Sequence, residues 1–419
     1  MYAHKSILFV NQHYYPDIAA TGQKLTDLAE YLAASGHHVN VICSQGRYMA
    51  GALDVPREEV RNGVRIHRTK TISRGRGSTL TRLIDYASFY LRVFFYILFA
   101  RRYDYIVYLT TPPLLSVLGG VMYKLRGQQY GIWSMDLHPD AEEVLGMLRP
   151  AGFASRMLHG LNDFGYRNAE FVVDLGAYMK QRILRKGVLD ERLHTIPLWD
   201  KVEEFIPVSK EENPLVKELR LEDKFVIMYS GNAGLAHQFD ELLLTMEQLK
   251  DHPRFFFLFV GSGAQRAHIE SFALNKNIRN YMYLDYFPRE QLRFSLALAD
   301  IHLLTLKSEM VGVAVPSKLY SIMASGKPVL MIGPEASDSG EIILQEDAGM
   351  VIDPVRHVDK TAEVIAQTLH FLEERQDRCW QLGLNGRRAF TEHYTQNAGC
   401  NAWHRLLEEI NQEALTYAQ

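Results

Sequence analysis

Three strand-to-helix turns in this chain carry glycine where a backbone could meet an anion. They read "NQHYYPDIAATGQKL" with Thr21 and Gly22, "YSGNAGLAHQFDEL" with Gly231, Asn232 and Gly234, and "VGSGAQRAHI" with Gly261 and Gly263. Glycine lets a backbone approach a phosphate closely, and a helix N-terminus adds unpaired N–H groups and a positive dipole end. One such turn occurs in many βα connections; three point to a phosphorylated ligand. A further stretch, "VPSKLYSIMASGKPVL", opens a core helix with Ser317 and Lys318 shortly after Gly312. Lys318 can face a diphosphate as a point charge or simply be solvated, and Ser317 can serve as an N-cap. "WSMDLHPD" supplies Asp136 and His138, residue types that move protons and stabilise an oxocarbenium-like charge. The competing reading makes Asp136 a helix cap and His138 a surface residue before Pro139.

Other chemistries lack their residues. No Gly-Lys-Ser/Thr follows any of the glycine turns, and "GSGAQRA" lacks the third glycine of a dinucleotide fingerprint. There is no DxD, HExxH or GxSxG motif, which disfavours metalloenzyme and hydrolase readings. Cys43, Cys379 and Cys400 lie far apart without metal-ligand spacing and read as inert thiols of a reducing compartment. A net charge of -3 gives no reason to expect nucleic acid as a partner.

The elements that must position these groups alternate along the chain. "SILFVN", "VNVICS", "VRIHRT", "YDYIVYLTTPP", "YGIWSMD" and "AEFVVDLG" read as strands, interleaved with helical patterns such as "GQKLTDLAEYLAASGHH". This is the signature of βαβ units and a parallel sheet covered by helices. The alternation lapses in "DKVEEFIPVSKEENPLVKELRLED", which is charged and holds two prolines, and then restarts with "KFVIMYSG". With 419 residues, the chain therefore reads as two doubly wound α/β domains: residues 1–200, a linker at 201–222, residues 223–395, and a terminal helix at 396–419. Ligands of open α/β sheets bind outside the strand carboxyl ends, so a cleft between two such domains is the expected site. Trp199 falls at the crossing between them, as core or hinge.

"RLIDYASFYLRVFFYILFARRYD" is rich in aromatics, is interrupted by Asp85 and Arg92, and follows the basic "RGRG" of Arg74 to Gly77. It is too interrupted to span a membrane. It either packs on a sheet or lies in a membrane interface, giving a peripheral contact with the inner membrane through 74–102. "SILFVN" is too short for a signal peptide, so a cytoplasmic location is expected.

In order along the chain, "QHYYPDIAATGQKLTDLAEYLAASGHHVNVICS", "TTPPLL", "WSMDLHPD", "VIMYSGNAGLAHQFDEL", "FLFVGSGAQ", "YFPREQLRFSLALADIHLLTLKSE" and "MASGKPVLMIG" resemble the GT-B-fold glycosyltransferases of family four. The likeness is to the branch that builds bacterial surface polysaccharides, including enzymes adding fucose-type sugars. It implies two Rossmann-like domains facing across a cleft: an acceptor-binding N-domain, a donor-binding C-domain and a terminal helix crossing back. It further implies a retaining transfer of sugar from a UDP- or GDP-sugar to a saccharide, lipid-linked acceptor, without cofactor or metal.

The resemblance distributes roles. Asp136 and His138 are placed at the reacting sugar. Gly22, Gly231, Asn232, Gly263, Ser317, Lys318 and Ser321 belong to the donor site, Phe287 to the base, and Glu309 to a sugar hydroxyl. His13 and Tyr14 are acceptor contacts or loop anchors. Ser321 stands where the family's Glu-x7-Glu motif keeps its second glutamate, with eleven residues between it and Glu309. A sugar-nucleotide epimerase or phosphorylase of the same fold, or a non-catalytic nucleotide-sugar-binding partner, stays open as an alternative.

Overall fold

The computed structural model describes residues 4–17, 19–45, 55–70 and 79–417. The chain divides into two units, Met1–Leu198 with Gly312–Ala314 and Asn397–Gln419, and Trp199–Val311 with Val315–Gln396.

The first unit starts with β1 (Ser6–Val10), α1 (Ala20–Ala34), β2 (His38–Ser44), β3 (Glu58–Arg61) and β4 (Val64–Thr69). It continues through α2 (Thr79–Phe99), β5 (Tyr105–Tyr108), α3 (Leu115–Arg126), β6 (Tyr130–Trp133), α4 (Asp140–Val144) and α5 (Phe153–Arg167). β7 (Phe171–Asp174), α6 (Ala177–Arg185) and β8 (Leu193–Thr195) complete a sheet ordered β3-β4-β2-β1-β5-β6-β7-β8. β5, β6 and β7 are buried at every position, as expected for strands covered on both faces. α1 turns Leu25, Leu28, Ala29 and Leu32 inward, each leucine worth about 1.5–3 kcal/mol of burial. One feature departs from a wholly parallel sheet: β3 pairs antiparallel with β4. Asn62 and Gly63 both have positive φ, the geometry of a type I′ hairpin.

α2 divides its faces. Phe89, Val93 and Ile97 are buried, while Leu83, Ile84, Leu91, Phe95 and Phe99 are exposed. Among the described residues, no helix is long and apolar enough to cross a membrane. The basic segment Arg74 to Gly77 lies outside the described residues.

The last helix of the first unit is reached only after the second, and it fills a hole in this core. Trp403 is fully buried, 4.9 Å from the ring of Trp133, and the buried Lys5 ammonium donates to the Leu407 carbonyl. The Lys5 amide donates to His37 Nδ1 (3.2 Å), so the ring proton sits on Nε2 and meets His404 Nδ1 at 3.0 Å. His404 Nε2 lies 3.4 Å from Glu408. Burial, with His404, Lys5, His4 and His38 around it, holds the His37 pKa down to about 4. An unfolded histidine titrates near 6.5, so the unfolded chain takes the proton first and stability falls as pH drops from about 6.5 towards 4. The expected loss between pH 7 and pH 5 is about 2 kcal/mol from this group, reduced in His37→Asn, and urea unfolding followed by tryptophan fluorescence measures it.

The second unit comprises α7 (Pro214–Glu218), β9 (Phe225–Ser230), α8 (Asp240–Gln248), β10 (Phe255–Val260), α9 (Arg266–Asn275), β11 (Tyr281–Leu284) and α10 (Leu292–Ala297). β12 (Ile301–Thr305), α11 (Lys318–Ala324), β13 (Val329–Ile332), α12 (Asp338–Gln345), β14 (Gly349–Ile352), α13 (Thr361–Glu374) and α14 (Gln376–His393) follow, before α15 (Gln396–Tyr417). Its six strands are all parallel, in the order β11-β10-β9-β12-β13-β14. Phe225, Phe255, Phe257 and Phe259 pack with Ile301, Leu303 and Leu330 in one buried cluster. The charged stretch 201–222 is more structured than its composition implies. Asn213 accepts from the Leu215 amide (3.1 Å) and caps α7, and Leu215, Val216 and Leu221 are buried beside Val226 and Met228. Trp199, at the division between the units, is buried.

Candidate active site

Each sheet reverses its winding once, and the loops at such a switch point form a crevice outside the strand carboxyl ends. In the first unit the switch lies between β1 and β5, so the loops after these strands and after neighbouring β6 share one edge. They are tied together. The Gln12 amide donates to Thr111 O (2.8 Å), and Thr110 Oγ1 accepts from the amides of Met135 (3.3 Å) and Asp136 (3.1 Å). Residues 312–314 lie along the same edge: Asp136 bridges Ala314 and the Leu137 amide donates to Val313 O (2.8 Å). Gly312 has φ +69°, and a Cβ there would stand 2.5 Å from Tyr178 O, so only glycine fits without strain.

Asp136 and His138 therefore stand together at this edge. Burial pushes the Asp136 carboxyl up, partly offset by the His138 ring. His138 Nδ1 lies 2.8 and 3.0 Å from the two oxygens of Glu142, which with Asp136 and Asp140 raises the imidazole pKa despite burial. His138 gives Glu142 the converse shift, downwards. Neither residue fits the competing readings: α4 makes no side-chain cap bond, and the side chain of His138 is only 16% exposed.

The loop after β1 is held from several sides. His13 Nδ1 meets Asp17 Oδ2 at 2.7 Å, and Asn11 Nδ2 donates to His13 O (2.7 Å). Gly22, in the first turn of α1, lets the His13 backbone come close; a Cβ would meet it at 3.1 Å. The buried Arg68 guanidinium donates to Tyr15 O (3.0 Å) and pairs with Glu59 (2.7 Å). Tyr14 is buried, which makes it the loop's anchor, whereas His13 is partly accessible.

In the second unit the switch falls between β9 and β12. The Gly231 amide donates to Val260 O (2.8 Å), the Gly261 amide to Leu284 O (2.9 Å), and the Ala233 amide to Ser262 O (2.6 Å). Gly263 has φ +140° and sits so close to Ala233 that a Cβ would collide with its backbone. Beside these turns stands Lys318, its Nζ 2.5 Å from Tyr229 Oη and 3.8 Å from that ring's centroid. A Cβ on Gly231 would be 3.3 Å from the same Nζ. Among the described residues no carboxylate pairs with Lys318, and burial holds its pKa down to about 7. His237 Nδ1 donates to Thr305 O (2.8 Å); burial and Lys318 hold its pKa to about 3, so it stays neutral.

Asn232 is exposed beside Gly231. Ser317 occupies the N-cap position of α11 without a side-chain cap bond, and Ser321 Oγ donates to Lys318 O (2.9 Å). Glu309 is exposed on a single 3-10 turn. Phe287 is half-buried against the cluster of Val260 and Leu298. Tyr283 stacks on Phe259 at 5.5 Å and under Arg266, a packing role, while Tyr286 is 42% exposed. Thr110, Glu142 and Tyr229 were not singled out from sequence, because their partners are distant in the chain or lie across a proline. Among the described residues, no cluster of three or more His, Cys, Asp or Glu could hold a metal.

Two Rossmann-like units in one chain, each a mostly or wholly parallel sheet with one switch point, are the architecture of the GT-B class. Residues 20–199 match the family described as Glycosyl transferase 4-like domain, and residues 211–383 match Glycosyl transferases group 1. The chain belongs to the GT-B-fold glycosyltransferases of family four. A relative from Escherichia coli K12, named putative colanic acid biosynthesis glycosyl transferase WcaI, is 26% identical over 349 residues, covering 80% of this chain and 85% of its own. Sucrose-phosphate synthase from Thermosynechococcus elongatus shares the fold with a TM-score of 0.76 at 18% identity, covering 98% of this chain and 100% of that one. Anabaena Alr3699/HepE in complex with UDP and glucose superposes with a TM-score of 0.72 at 14% identity, covering 97% and 100%.

Proposed function

We propose that this enzyme is a retaining glycosyltransferase that moves a sugar from a nucleoside-diphosphate sugar to a lipid-linked saccharide in surface-polysaccharide biosynthesis. The observation that carries the reading is Lys318: among the described residues no carboxylate pairs with it, and it packs between the Tyr229 ring and the Gly231 turn. Gly231, Asn232 and Gly263 offer backbone to the diphosphate, Lys318 its charge, Phe287 a face for the base, and Glu309, Ser317 and Ser321 polar groups for sugar and ribose. Gly22 is assigned to the donor as well. In the first unit, Asp136 and His138 attend the anomeric carbon, and His13 contacts the acceptor beside its anchor Tyr14. The bond from the anomeric carbon to the phosphate oxygen breaks with its electron pair going to the nucleoside diphosphate. The acceptor oxygen bonds on the same face, and its proton leaves on the phosphate. Helix ends and Lys318 stabilise the charge that develops there.

UDP is the favoured nucleotide, supported by the UDP complex of the Anabaena neighbour, and a surface-polysaccharide role is supported by the name of the E. coli relative. A thermal-shift comparison of UDP, GDP and their sugars tests the donor, since a ligand that binds the native state raises the midpoint. Release of nucleoside diphosphate only when a saccharide acceptor is present tests transfer; no shift with any nucleotide overturns the reading.

The same enzyme works at the cytoplasmic face of the inner membrane, on the proposal that the exposed apolar side of α2 rests in the lipid interface. Leu91, Phe95 and Phe99 supply the apolar contact, and Arg92, Arg101 and Arg102 the attraction to anionic headgroups. Phe95→Glu and Phe99→Glu are each expected to weaken co-sedimentation with phosphatidylglycerol vesicles about tenfold, from the loss of one buried aromatic.

A further inference from the structure

We infer that Glu142 is the positioning residue of this site, fixing the ring orientation and tautomer of His138, so that a His138–Glu142 pair rather than a lone histidine faces the reacting sugar. The inference rests on the assignment of Asp136 and His138 to sugar transfer. Both Glu142 oxygens lie within 3.0 Å of Nδ1, so that nitrogen carries a proton and Nε2 is left as the ring's other hydrogen-bonding atom. Two consequences follow from electrostatics. A carboxylate against Nδ1 favours the imidazolium, whose Nε2–H can donate to a sugar oxygen but cannot accept a proton. It also separates the duties of the site, leaving Asp136 as the carboxylate able to stabilise positive charge at the anomeric carbon.

The short helix that carries Glu142 is tied down through its neighbouring residues. Asp140 is held by Arg182 (3.7 Å) of α6 and by Nζ of Lys186 (2.6 Å), the residue that ends that helix. Glu143 is held by the Ser155 hydroxyl and by His159 (3.3 Å) of α5. The Ala141 amide donates to Leu137 O (2.9 Å) and the Glu143 amide to Pro139 O (3.2 Å). α4 is thus clamped from two neighbouring helices, and its one remaining acidic side chain is spent on His138. A small cavity that His138 lines also takes Thr110, Ser116, Asn162 and Tyr166 with aliphatic leucine and isoleucine side chains, and none of these neighbours carries a carboxylate or a cation. Glu142, Asp136 and Asp140 are the charged groups that act on His138; Asp140 is also paired with Lys186, and Glu142, which hydrogen-bonds the ring, has the strongest hold of the three.

The test uses the full chain with histidine labelled for NMR, His138 being assigned by its loss in His138→Asn. Glu142→Gln keeps the size and an acceptor oxygen but removes the charge. It is expected to lower the His138 pKa by about one unit or more. If the imidazolium is the working form, activity is lost as pH rises through that pKa, so the basic limb of the kcat profile moves to lower pH by the same amount. Donor Kd, set in the second unit, is expected to stay unchanged. Glu142→Asp, which restores charge at longer reach, is expected to recover part of the shift, and Glu143→Gln to leave the titration where it was. An unchanged His138 titration in Glu142→Gln overturns the inference, as does an equal shift in Glu143→Gln. Absence of transfer by the wild-type chain would instead overturn the assignment of the site, a result the NMR titration does not share.

Discussion

Asp136→Asn is expected to lower sugar transfer by about 10²- to 10⁴-fold while leaving nucleotide binding intact. Asparagine has nearly the same volume, and the interactions that fix this position are made by backbone: the amide to Thr110 Oγ1, the bridge to Ala314, and the following Leu137 amide to Val313 O. Loss of activity would therefore report the carboxylate and not the fold. The separation is helped by chain organisation, since the groups proposed for the diphosphate belong to the second unit. Single-turnover rates with saturating donor, compared with calorimetric Kd for the nucleoside diphosphate, distinguish the two. An Asn variant that transfers at the wild-type rate would remove Asp136 from the mechanism.

The second large effect is at Lys318. Lys318→Met keeps a flexible apolar stem under Tyr229 and deletes the charge, and nucleoside diphosphate affinity is expected to fall about 100-fold, the worth of a strong charge-assisted contact. pH dependence adds a signature that a packing role would not give. Burial holds the free lysine to a pKa of about 7, and a bound diphosphate favours the ammonium form. Binding therefore draws in a proton above pH 7, and Kd weakens as pH rises from 7 to 9. That range lies above the phosphate's own pKa near 6, so the ligand's charge is constant across it. Calorimetry in buffers of different ionisation enthalpy reads the proton uptake directly, approaching one proton at pH 8. A Kd equal at pH 7 and pH 9 would mean that Lys318 does not meet the phosphates.

The strand runs and glycine turns were legible because their signals are local. Alternating apolar segments fix strands, and a turn that needs positive φ keeps its glycine, as at Gly231 and Gly263. The β3–β4 hairpin was also written in plain sight, as Asn62-Gly63 between short β-forming runs, but a reading tuned to βαβ repeats passes over an antiparallel edge. Contacts between distant segments were not legible. Nothing local marks Thr110 as the hydroxyl that holds the Asp136 amide, or Tyr229 as the ring beneath Lys318. Glu142 lies four residues after His138, a helical spacing, yet Pro139 and the short α4 conceal it. Gly312–Ala314 looks like a flexible insertion in sequence, and its pairing with Asp136 and Leu137 becomes visible only in space.

The placement of α15 has a consequence in time. A ribosome makes β1 first, yet the pocket that Trp133 leaves in the first unit is closed by Trp403, and the ammonium of Lys5 finds its acceptor at Leu407. The earliest segment to emerge thus waits for one of the latest, with the whole second unit synthesised in between. Until then Trp133 and Phe171 lack the indole that packs on them, and the nascent first unit is a part of this chain that a holdase chaperone has reason to cover.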